Sequence, residues 1–235
     1  MTSREASPYG LDRELVWAGF KALLPLSLFV IVFGIAFGLA ATQVGLGDLE
    51  IVLMSTLVFA GASQFAALEL WGAQVPLFTL LVTVFAINAR HLLMGATLYP
   101  WLEPLSPARR YGIMLVASDA NWAMAMQAFG RGQPGLGLLL GGGIALWSFW
   151  VLGTWLGLHV GGAVQDPSSL GLDMVMGCFL LAMVVSGEKN LRMLLIWAVA
   201  AAASLLAFYH LPENSHVVVG ALAGGLVGLV WGKRE

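Results

Sequence analysis

Residues 75–99 read VPLFTLLVTVFAINARHLLMGATLY. A helix that spans a bilayer needs about 20 mostly apolar residues, and this run is long enough. Asn88, Arg90 and His91 interrupt it. Holding one charge at the centre of a spanning helix costs roughly 2.5–3.5 kcal/mol on insertion scales. The next apolar run, Tyr111 to Phe129, carries Asp119 and Asn121. A chain that places such groups inside membrane-like segments usually does so for ions or solutes, which points to transport.

Composition agrees with a membrane setting. Of 235 residues, 59% are hydrophobic and 10% are charged, and the mean hydropathy is +0.86. A soluble domain carries about 25% charged residues. The expected class is therefore an all-α integral membrane protein, with residues 1–235 as a single polytopic membrane domain in a lipid bilayer. The formal charge of −2 and the lack of a basic stripe exclude nucleic acid as a partner. The lone Cys178 rules out an internal disulfide and reads as a small buried hydrophobe. No phosphate-binding loop and no nucleophile-elbow motif are present, so an enzyme is not expected. His159, His210 and His216 lie near loops without ligand spacing on one helix, so neither a metal nor another cofactor is expected.

The candidate crossings are 17–41, 51–71, 75–99, 111–129, 136–159, 172–186, 191–209 and 215–231. That makes about eight, or seven if one is not a full crossing. The second is rich in small polar residues and the sixth is short, so either fits a broken or re-entrant segment. Basic residues collect on the cytoplasmic side of bacterial membrane proteins. Arg4, Arg13 and Lys21 at the N-terminus, Lys189 and Arg192, and Lys233 and Arg234 at the C-terminus suit eight crossings with both termini cytoplasmic. One loop disagrees, because Arg109 and Arg110 would then lie outside. Making a single segment re-entrant repairs that loop but misplaces later ones, so eight is the expectation.

Gly34-Ile35-Ala36-Phe37-Gly38 is echoed by Gly153-Thr154-Trp155-Leu156-Gly157. Ser55 and Ser63 are echoed by Cys178 and Ser186. This suggests two duplicated halves, 15–130 and 131–235, as transporters often have. The glycine pairs themselves read as close helix contacts rather than as a ligand site.

Two constellations could carry function. If 75–99 and 111–129 form an antiparallel hairpin, Arg90 and Asp119 lie roughly 12–14 Å from its shared end, near the bilayer midplane. Pairing them removes two isolated charges from lipid. Asn88 and His91 are three apart and share a helix face. His91 titrates in the physiological range when unperturbed, which makes it, with Asp119, a candidate proton carrier. The second constellation is Phe59-Ala60-Gly61-Ala62-Ser63-Gln64-Phe65. Its small residues allow a helix to break and expose backbone groups to a substrate, or to pack closely against a neighbour.

These residues also carry a resemblance. Ser55 to Phe65 (STLVFAGASQF), Asn88-Ala89-Arg90-His91 and Ser118-Asp119 look like the AzlC family of bacterial inner-membrane proteins. Leu24-Pro25, Phe33-Gly34 and Phe37-Gly38 fit it as well. The resemblance follows nearly the whole chain in order and spacing, with its sharpest motifs in the first half. It implies the large subunit of a branched-chain amino acid exporter in the cell inner membrane, working with a small hydrophobic AzlD-type membrane protein. Carried over residue by residue, it implies substrate binding by Gly61, Ala62, Ser63, Gln64, Asn88 and Arg90. It implies proton coupling by Asp119 and His91, with export of apolar amino acids driven by the proton gradient. A channel or uptake facilitator for another small solute, or a structural subunit of a transport complex, is the alternative.

Overall fold

A computed structural model describes residues 11–72, 74–161, 190–211 and 215–231. These form helices α1 (Arg13–Gln43), α2 (Asp48–Leu57), α3 (Gly61–Glu69), α4 (Leu77–Asn88), α5 (Arg90–Leu102), α6 (Pro107–Met114), α7 (Asp119–Gly130), α8 (Leu136–Gly161), α9 (Leu191–His210) and α10 (Ser215–Trp231). No strand occurs among the described residues. The candidate segment 172–186, with Cys178 and Ser186, lies outside them.

The scaffold is the pair α1 and α8. Leu15 and Val16 meet Gly137 and Gly141, while Gly34 and Gly38 meet Gly153, Thr154 and Gly157, so the two helices run in the same direction. The glycines let backbone lie on backbone: a Cβ at Gly34 would sit 2.7 Å from the Trp150 carbonyl oxygen. The two echoed glycine motifs therefore face each other across one seam, as close-contact motifs do in lipid. Pro25 lies inside α1, where it cannot donate a backbone hydrogen bond, and Ser27 Oγ donates to the Leu23 carbonyl at 2.8 Å nearby.

Four helical stretches among the described residues are long and apolar enough to cross a membrane: Arg13–Gln43, Leu77–Leu102, Leu136–Val160 and Leu191–His210. The stretches 51–71 and 111–129, each expected as one crossing, are different. Each is built of two short helices that fold back on each other. α2 has 10 residues and α3 has 9, so each is roughly 14–15 Å long, half a hydrocarbon core.

The fold-back is visible in the contacts. Gln64 Nε2 on α3 reaches Ser55 Oγ on α2 at 3.4 Å. Ile51, Phe65 and Leu68 join one core cluster with Phe37, Ala41 and Leu46. Both ends of α2–α3 thus lie at the C-terminal end of α1. The turn between them is tight enough to hold Phe59 at φ +42°, a conformation that costs a non-glycine residue on the order of 1–3 kcal/mol. Its ring compensates by packing on that cluster.

α6–α7 does the same from the other end. Ile113 of α6 and Ala125 and Phe129 of α7 share a cluster with Leu98 and Leu102, and with Leu136 and Leu139 at the start of α8. Arg110 fastens the base of this hairpin: its Nε donates to the Leu105 carbonyl at 2.7 Å and its Nη2 to the Glu103 carbonyl. A break in the second crossing was anticipated; the break and reversal in the fourth were not.

Leu77–Leu102 runs between the hairpins, with α4 and α5 meeting at Ala89. α9 and α10 form an antiparallel pair. Arg192 Nη2 donates to the Gly228 carbonyl at 3.2 Å, and Ser204 Oγ donates to the His216 carbonyl at 3.1 Å.

Candidate functional site

Three interruptions of helix converge: the α2–α3 turn, the α4–α5 junction and the α6–α7 turn. Between them is a cavity of about 320 Å³ lined by Leu57, Val58, Phe59 and Ala60, by Asn88 and His91, and by Met114, Leu115 and Ala117. That volume is at the small end of the range for ligand sites. Its walls are apolar except at Asn88, His91 and the open backbone of the turns. A larger cleft of about 740 Å³ lies beside Trp17, Phe20 and Ile144 at the outer face of α1 and α8, and holds none of the expected site residues.

Each turn is held by one buried amide. Gln64 is fully buried; its Oε1 accepts from Ala60 N at 3.2 Å, and its Nε2 donates to Ser55 Oγ. Ser55 Oγ in turn lies 2.8 Å from Thr154 Oγ1 on α8. Asn121 is also fully buried. Its Oδ1 accepts from Ser118 N at 2.6 Å and from Ser118 Oγ at 3.0 Å. Its Nδ2 donates to the carbonyls of Val116 at 2.9 Å and Leu139, on α8, at 2.8 Å. Backbone freed by a helix break must find partners inside the protein, and these side chains supply them.

Asn88 joins the break in α4–α5 to the first hairpin. Its Nδ2 donates to Ser63 Oγ at 3.0 Å, while Ser63 Oγ donates to the Ala60 carbonyl at 2.9 Å. Because the hydroxyl proton is already committed, Ser63 must accept from Asn88, which fixes the amide orientation. Asn88 Oδ1 is then left buried with no hydrogen-bond partner among the described residues. An unmet buried acceptor costs about 1–3 kcal/mol. His91 Nδ1 lies 3.2 Å from the Asn88 carbonyl, so the pair expected to share a face does face the same cavity.

Arg90 Nη1 and Asp119 Oδ2 form an ion pair at 2.8 Å, with side chains 29% and 49% exposed. The pairing expected from equal depth is present, although Asp119 opens the returning arm of a hairpin rather than sitting inside a crossing. Gly61, Ala62, Ser63 and Gln64 stand behind the wall of the cavity. Gly61 lies against the Trp150 indole, and a Cβ there would be 2.9 Å from its Cη2. Ala62, Ser63 and Gln64 are buried. Asn121, Ser55 and Thr154 are noted in the sequence reading but given no site role there. The Ser118-x-x-Asn121 spacing, a helix-start pattern, was the available signal for the first. Among the described residues no group of His, Cys, Asp or Glu is placed to hold a metal.

The AzlC protein family model matches residues 25–164. This chain belongs to the AzlC family. The matched part of this AzlC protein runs from Pro25 through α8 and contains both hairpins and the cavity. Inner membrane protein YgaZ of Escherichia coli K12 is 27% identical over 220 residues, covering 90% of this chain and 89% of the relative. An uncharacterized membrane protein of Archaeoglobus fulgidus is 29% identical over 215 residues, covering 89% and 92%. The branched-chain amino acid transport protein AzlC of Bacillus subtilis is 32% identical over 91 residues, covering 37% and 35%. No solved structure matches. The AzlC resemblance read from Ser55–Phe65 and Asn88–His91 therefore holds, and the chain is a membrane protein of a transport family whose described residues form helices and no strand.

Proposed function

We propose that this protein is a secondary transporter that exports branched-chain or similar apolar amino acids across the bacterial inner membrane, with the cavity between the three helix breaks as its substrate site. The observation that carries this reading is a cavity at three helix breaks, walled by apolar side chains together with Asn88 and His91, with the Arg90–Asp119 ion pair within two residues in sequence of its lining. An amino acid supplies a matching set: an ammonium donor for Asn88, an apolar side chain for Leu57, Val58, Met114 and Leu115, and a carboxylate for Arg90. The names of the relatives support the setting. One is an inner membrane protein and one a branched-chain amino acid transport protein.

In this scheme Arg90 exchanges Asp119 for the substrate carboxylate. Asp119, once released, takes up a proton, and His91 on the cavity wall passes protons to and from it. Gly61 to Gln64 serve binding by shaping the turn whose backbone the substrate touches. A small AzlD-type subunit completes the transporter, and the N-terminal end of α1 faces the cytoplasm.

The test is leucine and methionine efflux from preloaded proteoliposomes, with and without the small subunit, under an imposed pH gradient. The expected result is gradient-dependent efflux that needs both chains and loses its gradient dependence in Asp119→Asn. Flux that ignores the gradient would indicate a facilitator. Unchanged pH dependence in Asp119→Asn would remove Asp119 from coupling.

A further inference from the structure

The hairpins α2–α3 and α6–α7 approach the cavity from opposite ends of the α1–α8 pair. The first has its base at Gly47 and Leu70, beside the C-terminal end of α1. The second has its base at Ser106 and Arg131, beside the N-terminal end of α8. Neither arm is long enough to cross, and both turns line the cavity. Non-helical backbone is tolerated at membrane depth only where protein buries it or it lines a polar cavity.

The two hairpins also match internally. Val58, Ala60 and Gln64 in the first stand at the same spacing as Leu115, Ala117 and Asn121 in the second. In each, two of these face the cavity and the third is the fully buried amide that clamps the turn. Each clamp ends on α8, through Ser55 and Thr154 in one case and the Leu139 carbonyl in the other. Each hairpin follows a long helix, and those two helices run in opposite directions. This is the pattern of an inverted repeat, whose binding site lies at the repeat interface.

Charge fixes the sidedness. Arg13, Lys21, Arg109, Arg110 and Arg131 all belong to the end where α6–α7 is based, while the connections 44–47 and 70–76 at the other end contain no Lys or Arg. By the positive-inside rule α6–α7 inserts from the cytoplasm and α2–α3 from outside. Arg109 and Arg110, stranded outside by eight full crossings, then lie inside.

We propose that α2–α3 and α6–α7 are an inverted pair of half-membrane hairpins forming the outer and inner barriers of the cavity, with Gln64 and Asn121 as the positioning residues that pin each barrier to α8. Opening one while the other stays pinned exposes the cavity to one side at a time, whatever the solute.

The test needs no substrate. In a Cys178→Ser background, single cysteines at Gly47 and Gln74 flank the first hairpin, and at Glu103 and Gln133 the second. With a membrane-impermeant maleimide on intact cells, 47 and 74 are both expected to label, while 103 and 133 label only after permeabilisation. Labelling of 47 and 74 from opposite sides, or of 103 and 133 from opposite sides, would mean a full crossing and overturn the proposal. With Ala117→Cys, on the cavity lining and 3% exposed, as the cavity reporter, Gln64→Leu is expected to raise labelling from outside several-fold, and Asn121→Leu to raise labelling from inside. The flanking positions verify insertion of each variant. Correctly inserted variants that leave the reporter unchanged, or that raise labelling from the opposite side, would overturn the barrier roles.

Discussion

Breaking the Arg90–Asp119 pair gives a magnitude that follows from its geometry. Two unit charges about 4 Å apart attract by roughly 4 kcal/mol at an effective dielectric of 20. The pair is 29% and 49% exposed, so solvent screening takes most of that away. Exposed pairs are worth about 0.2–1 kcal/mol, and removing one partner of a fully buried pair costs about 3–5. This half-exposed pair should fall between, with Arg90→Gln and Asp119→Asn each destabilising by about 1–2 kcal/mol. For a chain of this size that lowers Tm by about 2–8 °C. The double variant should cost less than the two singles added, by about 1 kcal/mol, because once one charge is gone the other has no pair to lose. The assay is thermal unfolding in detergent followed by size-exclusion fluorescence, on wild type, both singles and the double. Additive losses would show that the two charges do not support each other and would refute the reasoning.

Three further outcomes are expected. Gly34→Leu should abolish recovery of folded protein, since even a Cβ there meets the Trp150 carbonyl at 2.7 Å, whereas Gly112→Ala, with nothing within 4 Å, should keep or slightly raise Tm. Asn88→Leu should weaken apparent substrate affinity about tenfold in efflux titrations, the loss of one hydrogen bond to a charged group, while Tm changes little because the variant also removes an unmet acceptor. Met114→Ala should shift competition assays toward bulkier apolar amino acids by about tenfold, the usual scale for carving space from an apolar pocket.

Several parts of this fold were legible in the sequence because they depend on local residue types. The small residues around Gly61 allowed either a broken helix or close packing, the glycine motifs announced close helix contact, and equal depth announced Arg90 with Asp119. The reversal of direction was not legible. Asp48–Glu69 and Pro107–Gly130 are each about as long as one crossing, and hydropathy measures the length of an apolar stretch, not its heading. The trace left in the sequence was electrostatic. Arg109 and Arg110 fitted no scheme in which 51–71 crosses; one reversal places them inside, and a second is needed to keep the later basic loops there. Gly61, Ala62, Ser63 and Gln64 drew attention as binding residues because the string is distinctive. The geometry shows that distinctiveness also comes from turning a helix within a few residues: a glycine against an indole, a hydroxyl on the preceding carbonyl and an amide across the turn.

The glycine seam between α1 and α8 has a mechanical consequence. Side chains interposed between helices are compressible joints, because they can change rotamer and let their helices slide. Along this seam there is little but main chain on either side at Gly34, Gly38, Gly153 and Gly157, so translation or rotation of one helix against the other drives backbone into backbone. The pair behaves as a stiff post. Any motion that carries a solute past the midplane must then be taken up by the parts hung from that post through a few hydrogen bonds. The speed of the cycle is set at those hinges rather than in the post.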